Sequence, residues 1–162
     1  TEVVRDTPLL VQLYFFVLVV PKALGSIVSL SIFQSVAMAF AFNSAAYVSE
    51  IVRSGIQAVD AGQTEAARSL GMSAKQTMLH VIMPQAVKNI LPALGNEFVS
   101  VIKETSMAST FFVGDLMTSY LKVNSSTYWA FEALLIVAAI YFVLGFGLSK
   151  LIGAFERRMN RK

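Results

Sequence analysis

A chain of 162 residues with 56% hydrophobic and only 14% charged residues, and a mean hydropathy of +0.64, is too apolar for an ordinary soluble domain, whose charged share is about a quarter. Without cysteine there is no disulfide framework and no thiolate metal ligation, and the single histidine, His80, cannot form a metal site alone. The net charge of +3 does not point to nucleic acid, because the basic residues fall in loops and at the C-terminus with no aromatic–basic face; an all-α, polytopic membrane helix bundle with about four spanning helices is expected instead.

Thr1 opens the chain without an initiator methionine, which reads as a processed or truncated start. Glu2 and Asp6 spoil the cationic front of a signal peptide, and no small-residue cleavage site follows. Pro8 to about Leu24 therefore reads as a first span, interrupted or ended near Pro21. A second, from about Ile27 to Val48, carries Ser29, Ser31, Gln34, Ser35, Asn43 and Ser44. Lipid offers such groups no partner, so each bonds within the bundle or faces a watery path. Both readings stay open for the serines, while Gln34 and Asn43 are the better path candidates.

Residues 62–92 form a polar island between apolar segments. Asp60 with Gln63 reads as a capping-box-like start, Ala66, Ala67 and Leu70 favour helix, and Gly71 stands where a left-handed residue ends it. Ser73 with Gln76 is a second capping box, opening a helix toward Val81 and Met83. The product is a helix-turn-helix elbow at the membrane surface, leading into a third span from roughly Gln85 to Val113. Pro84 suits the first turn, and Pro92 is expected to kink the helix. Asn96, Glu97, Lys103 and Glu104 then fall at membrane depth, where ionisable groups either serve a pathway or brace neighbouring helices.

Gly114 to Thr127 reads as a short polar loop, with Tyr128 and Trp129 as an interfacial aromatic anchor. The last span runs from about Ala130 to Ile152, and the basic tail through Lys162 is a stop-transfer anchor. With that tail cytoplasmic, the elbow with Arg53, Arg68 and Lys75, and also Arg5, lie inside, leaving only Lys22 and Lys122 as loop cations outside.

Glu65-Ala66-Ala67, Gly71 and the following Val81-x-Met83-Pro84 resemble the EAA…G…I-x-L-P signature of the membrane subunits of ABC-type importers, with Val81 and Met83 in place of the usual Ile and Leu. Thr7-Pro8-Leu9-Leu10-x-Gln12, Tyr47-x-x-Glu50-Ile51-x-Arg53, Pro84-Gln85-Ala86, Gly95-Asn96-Glu97-Phe98 and Lys103-x-Thr105-Ser106 narrow the resemblance to the polar amino-acid uptake branch, over nearly the whole chain. It implies one transmembrane permease domain over residues 1–162, lacking a first helix that similar permeases carry upstream, with a cytoplasmic coupling loop at 60–80 inside it. Further implied are a place in the bacterial cytoplasmic membrane and a solute of the glutamine, glutamate, arginine or histidine class, moved by alternating access.

The implied partners are an ATP-binding subunit that holds the ATP and magnesium, a second permease copy or paralogue, an extracytoplasmic amino-acid-binding protein or fused domain, and the bilayer. Glu65, Ala66, Ala67 and Gly71 are the expected docking residues. Asn43, Asn96, Glu97, Lys103, Thr105 and Ser106 are the expected path residues, with Glu97 toward an ammonium and Lys103 or hydroxyls toward a carboxylate. No catalytic residue, cofactor or metal is expected in the chain, which has no G-x-x-x-x-G-K-[ST] phosphate loop and no G-x-S-x-G or H-E-x-x-H motif. An ABC permease for another small solute, or a passive channel or anchor, are the competing readings.

Overall fold

The computed structural model describes residues 1–25 and 29–160, and those residues form helices and connecting turns with no strand. A short α1, Glu2–Arg5, precedes Pro8, which caps α2, Leu9–Tyr14, in extended conformation. The first span then widens into a π-turn, Phe15–Val19, and resumes as α3, Val20–Leu24. Pro21 interrupts less than expected. It lacks the N–H for a regular i→i−4 bond, and the π-turn immediately before it, closed by Val20 N–H on the Phe15 carbonyl, loosens the ladder where the ring must fit.

The second span, α4, runs Ile32–Gln57, later at both ends than the expected Ile27 to Val48; Ile27 itself lies outside the described residues. Its start is fixed by a capping box. Ser31 Oγ accepts from Gln34 N–H at 3.2 Å, and Gln34 Oε1 accepts from Ser31 N–H at 2.8 Å, so the Gln34 amide oxygen serves the cap and not a path.

Two short helices follow, α5, Ala61–Ser69, and α6, Ala74–Thr77. A second π-turn, Met78–Ile82, then joins α6 to α7, Met83–Glu104. Pro84 occupies the first turn of α7, and Pro92 lies inside the continuous helix. The third span ends in a tighter 3₁₀ segment, Thr105–Phe111, rather than running as α-helix to Val113.

Residues Leu116–Thr127 are not a loop but a helix, α8. Asp115 caps it by accepting from Thr118 N–H at 2.8 Å, and that cap outweighs the serine- and threonine-rich composition. The last helix, α9, Ala130–Asn160, extends well beyond the expected Ile152, so the basic tail continues the helix as far as described; Arg161 and Lys162 lie outside the described residues.

The long helices pack in chain order, α2 on α4, α4 on α7 and α7 on α9. The buried seams use small residues, as expected where no water drives helices together: Ala39, Ala46, Gly55, Ala86 and Ala133 are all buried. A Cβ on Gly55 would lie 2.3 Å from Ile90 Cγ1, and one on Gly95 would lie 2.6 Å from Ile152 Cγ2, so both positions need glycine for close approach. Large side chains such as Phe33, Phe42, Phe142 and Phe146 stand on the outside, the reverse of a water-soluble bundle. Among the described residues α4 and α9 are each long and apolar enough to cross a membrane; Leu9–Leu24 is apolar but shorter, and α7 carries Lys88, Glu97, Lys103 and Glu104.

Candidate coupling elbow and polar path

The elbow is built by local rules. Asp60 Oδ1 accepts from Gly62 N–H at 2.6 Å and opens α5. Only half of the expected Asp60/Gln63 box forms, because the Gln63 amide oxygen instead accepts from Gln85 Nε2 at 3.4 Å, reaching the base of α7. The end of α5 is a Schellman motif: Met72 N–H reaches the Ala67 carbonyl at 3.2 Å and Gly71 N–H the Arg68 carbonyl at 3.0 Å. Gly71 takes φ +84°, a conformation that a side chain strains even with open space around it. Arg68 Nη1 donates to the Met72 carbonyl at 2.7 Å and braces the turn. Ser73 and Gln76 then form the full box expected of them, with bonds of 3.3 and 2.8 Å.

The four expected docking residues divide. Glu65, Ala66 and Gly71 are on the exposed outer surface, whereas Ala67 is buried, as are Thr77 and Ile82. Leu70, which in the sequence counts only as a helix-favouring residue, is 84% exposed at the apex of the turn. Its signal was available: an apolar residue directly before a C′ glycine on a polar hairpin has nothing in the hairpin to cover it.

Near the start of the chain, Gln12 is 8% exposed and Asn43 6%. Asn43 Nδ2 donates to Gln12 Oε1 at 3.0 Å, while Gln12 Nε2 donates to the Val4 carbonyl at 2.6 Å and to Thr7 Oγ1 at 2.9 Å. The Asn43 amide is thus engaged between helices. The same fold-back lays α1 on α4 and sets Arg5 Nη1 3.2 Å from Glu50 Oε2, with Arg53 Nη2 on the other Glu50 oxygen at 2.6 Å. Thr7, Gln12, Glu50 and Arg53 fall within the Thr7–Gln12 and Tyr47–Arg53 motifs, but their partners Val4, Arg5 and Asn43 lie outside them, so the motifs alone do not reveal either cluster.

The remaining path candidates lie on or just beyond α7. Glu97 is part-buried and faces Ser44 across the α4–α7 seam at 3.5 Å. Glu104 stands two turns further along the same face, with Ser100 between them. Lys103 lines an open hollow of about 320 Å³ with Ser100, Glu104 and Met107. Asn96 is exposed. Thr105 Oγ1 and Ser106 Oγ donate to the Ile102 and Lys103 carbonyls at 2.6 and 2.8 Å, so their hydroxyl protons are spent on the end of α7. The structure thus groups Glu97 with Ser44, and Lys103 with Glu104 and Ser100; Asn43 belongs with Gln12.

Residues 1–161 match the model of the family described as "binding-protein-dependent transport system inner membrane component". The chain is 40% identical over 160 residues to the arginine transport system permease protein ArtQ of Bacillus subtilis, covering 99% of this chain and 72% of that protein. It is 36% identical over 165 residues to the nopaline transport system permease protein NocM of Agrobacterium fabrum, covering 98% and 68%. A solved structure described as "an amino acid ABC transporter with histidines" superimposes with a TM-score of 0.90 at 50% identity, covering 97% of this chain and 72% of that one.

Proposed function

Because the chain belongs to the family of binding-protein-dependent transport system inner membrane components, we infer that the elbow and the polar face of α7 are two ends of one transport device. The chain is a membrane-spanning, non-catalytic permease subunit of an amino-acid ABC importer. ATP with its magnesium is bound and hydrolysed by a separate ATP-binding subunit. Two permease chains line the path in the bacterial cytoplasmic membrane, and an extracytoplasmic binding protein or fused domain delivers a polar amino acid of the glutamine, glutamate, arginine or histidine class.

The observation that carries this reading is the elbow. Capped at Asp60 and Ser73 and turned at Gly71, it continues from Ser73 through a π-turn into α7 without an unstructured joint. Glu65, Ala66 and Gly71, with Leu70 at the apex, form its docking surface; Ala67 packs inward and holds the hairpin's shape. A push on that surface moves the base of α7, and the close contacts Gly55–Ile90 and Gly95–Ile152 pass it to α4 and α9. Glu97 on the α4–α7 seam offers a carboxylate to an ammonium, and Lys103, in a separate hollow on another face of α7, offers an amine to a carboxylate, at a depth where isolated charges are costly unless paired. A solute shifts the inward–outward equilibrium only as far as it binds one state better than the other. The elbow and the C-terminus face the cytoplasm.

The test is uptake of a panel of amino acids into proteoliposomes holding the full-length permease with its ATP-binding and solute-binding partners. ATP-dependent accumulation of a polar amino acid is the expected result. Entry independent of ATP would overturn the reading in favour of a passive pathway.

A further inference from the structure

We propose that α8, with the aromatic residues at its two ends, lies in the plane of the membrane surface away from the elbow, and that it docks on the lipid headgroup zone of that leaflet. The inference rests on the chain being a membrane component and not on which solute it carries. With 12 residues α8 is about 18 Å long, too short to cross a bilayer. It follows the far end of α7 and packs on the 3₁₀ segment and on α9.

Both of its flanks are turned by non-glycine residues in left-handed conformation, Phe112 at φ 55° and Tyr128 at φ 60°. Such residues are uncommon and persist where the surroundings hold them. Phe112 is 78% exposed, Tyr128 87% and Trp129 65%, so within the chain little covers these rings. Tyr and Trp rings, apolar with a polar edge, favour the headgroup level of a bilayer. The patch continues directly into Phe131, Leu134 and Leu135 on the exposed face of α9, which is apolar and long enough to span.

The serine and threonine hydroxyls of α8 bond within the chain. Thr118 Oγ1 donates to the Val113 carbonyl at 2.7 Å, Ser119 Oγ to the Asp115 carbonyl at 3.1 Å, and Ser125 Oγ to the Lys122 carbonyl at 2.9 Å. Ser126 Oγ and Thr127 Oγ1 both reach the Val123 carbonyl, at 3.0 and 2.8 Å. A helix whose serine and threonine donors are satisfied internally can sit where water is scarce. Exposed Leu121 supplies apolar contact, exposed Val123 two positions on stands on the opposite side of the helix, and Lys122 between them offers a cation for headgroup phosphates.

Trp129 is the only tryptophan of the 162 residues, which gives a direct readout. In the reconstituted transporter, with the spectrum of the Trp129→Phe protein subtracted, lipids brominated next to the headgroup should quench its emission roughly twofold more than lipids brominated near the chain ends, as the aromatic belt requires. Iodide in the aqueous phase should quench weakly, and addition of the solute-binding partner should change little. Strong iodide quenching with no effect of brominated lipid, or protection that appears only once the soluble partner is added, would overturn the proposal; the latter would assign the patch to that protein. A spin label on Leu121→Cys, in a transporter whose other cysteines have been replaced, gives a second measurement. Greater accessibility to oxygen than to a water-soluble nickel complex is expected, and the reverse order would refute the placement.

Discussion

Gly55→Ala tests whether the α4–α7 seam is as tight as its geometry implies. Inside an exposed helix this change is favourable by about 1 kcal/mol, because alanine loses less backbone freedom than glycine. Here the new Cβ would lie 2.3 Å from Ile90 Cγ1, against 3.4 Å for the closest ordinary contact, so the helices or Ile90 must give at least 1.1 Å, the difference between the two. Gly55 is buried, and its carbonyl accepts from Asn89 Nδ2 at 3.4 Å, a bond that separation would lose. Overpacking of this kind typically costs about 1–3 kcal/mol, which exceeds or cancels the helical gain.

The clash carries its own control. Ile90→Ala removes both Cγ1 and Cδ1 and leaves the Ile90 Cβ position 3.5 Å from the new methyl, an ordinary contact. Alone it costs about 2–5 kcal/mol through the cavity it leaves. Combined with Gly55→Ala, which partly fills that cavity, it should cost less than the sum of the two singles by roughly 1–3 kcal/mol. Unfolding of the purified permease in mixed micelles, titrated with a denaturing detergent, measures all four corners of the cycle. Additive costs, or a Gly55→Ala protein more stable than the native one, would refute the seam.

Two further outcomes follow from single contacts. Gln12→Leu should cost about 1–3 kcal/mol in the same unfolding assay, because it strips the Val4 carbonyl of its donor and leaves buried Asn43 Nδ2 unpaired; adding Asn43→Leu should recover part of the loss, whereas a deeper loss would argue against the pairing. Gln85→Leu cuts the tie from Gln63 to the base of α7 while leaving the helix seams intact. Uptake per ATP hydrolysed should fall with bundle stability unchanged, and an unaltered ratio would show that the tie carries no load.

What was legible in the sequence was largely local. Ser73 with Gln76, Gly71 before a new cap, and the long apolar runs each declare themselves within a few residues, because a cap or a left-handed turn is decided by neighbours. The ordered motifs also point to the family without any contact. What is not legible depends on partners far along the chain. Asn43 reads as a path residue until Gln12, 31 positions earlier, takes its amide. Ala67 reads as part of a docking tripeptide, yet the hairpin turns it inward beside exposed Ala66. The helix at Leu116–Thr127 was hidden by its composition: serines and threonines compete with the backbone, and only the Asp115 cap with back-bonded hydroxyls tips them to helix. The π-turns before Pro21 and Pro84 have no signature beyond the prolines themselves.

The most direct test of elbow coupling is to measure ATP hydrolysis and amino-acid uptake together, in the same proteoliposomes, for the native transporter and for Gly71→Asp. Nothing lies within 4 Å of a Cβ at position 71, so the substitution acts through the left-handed turn and the docking surface and leaves the α4, α7 and α9 seams alone. Loss of ATP-driven uptake by a permease that still folds and inserts is the predicted result. Uptake that remains coupled to ATP at the native ratio would contradict it.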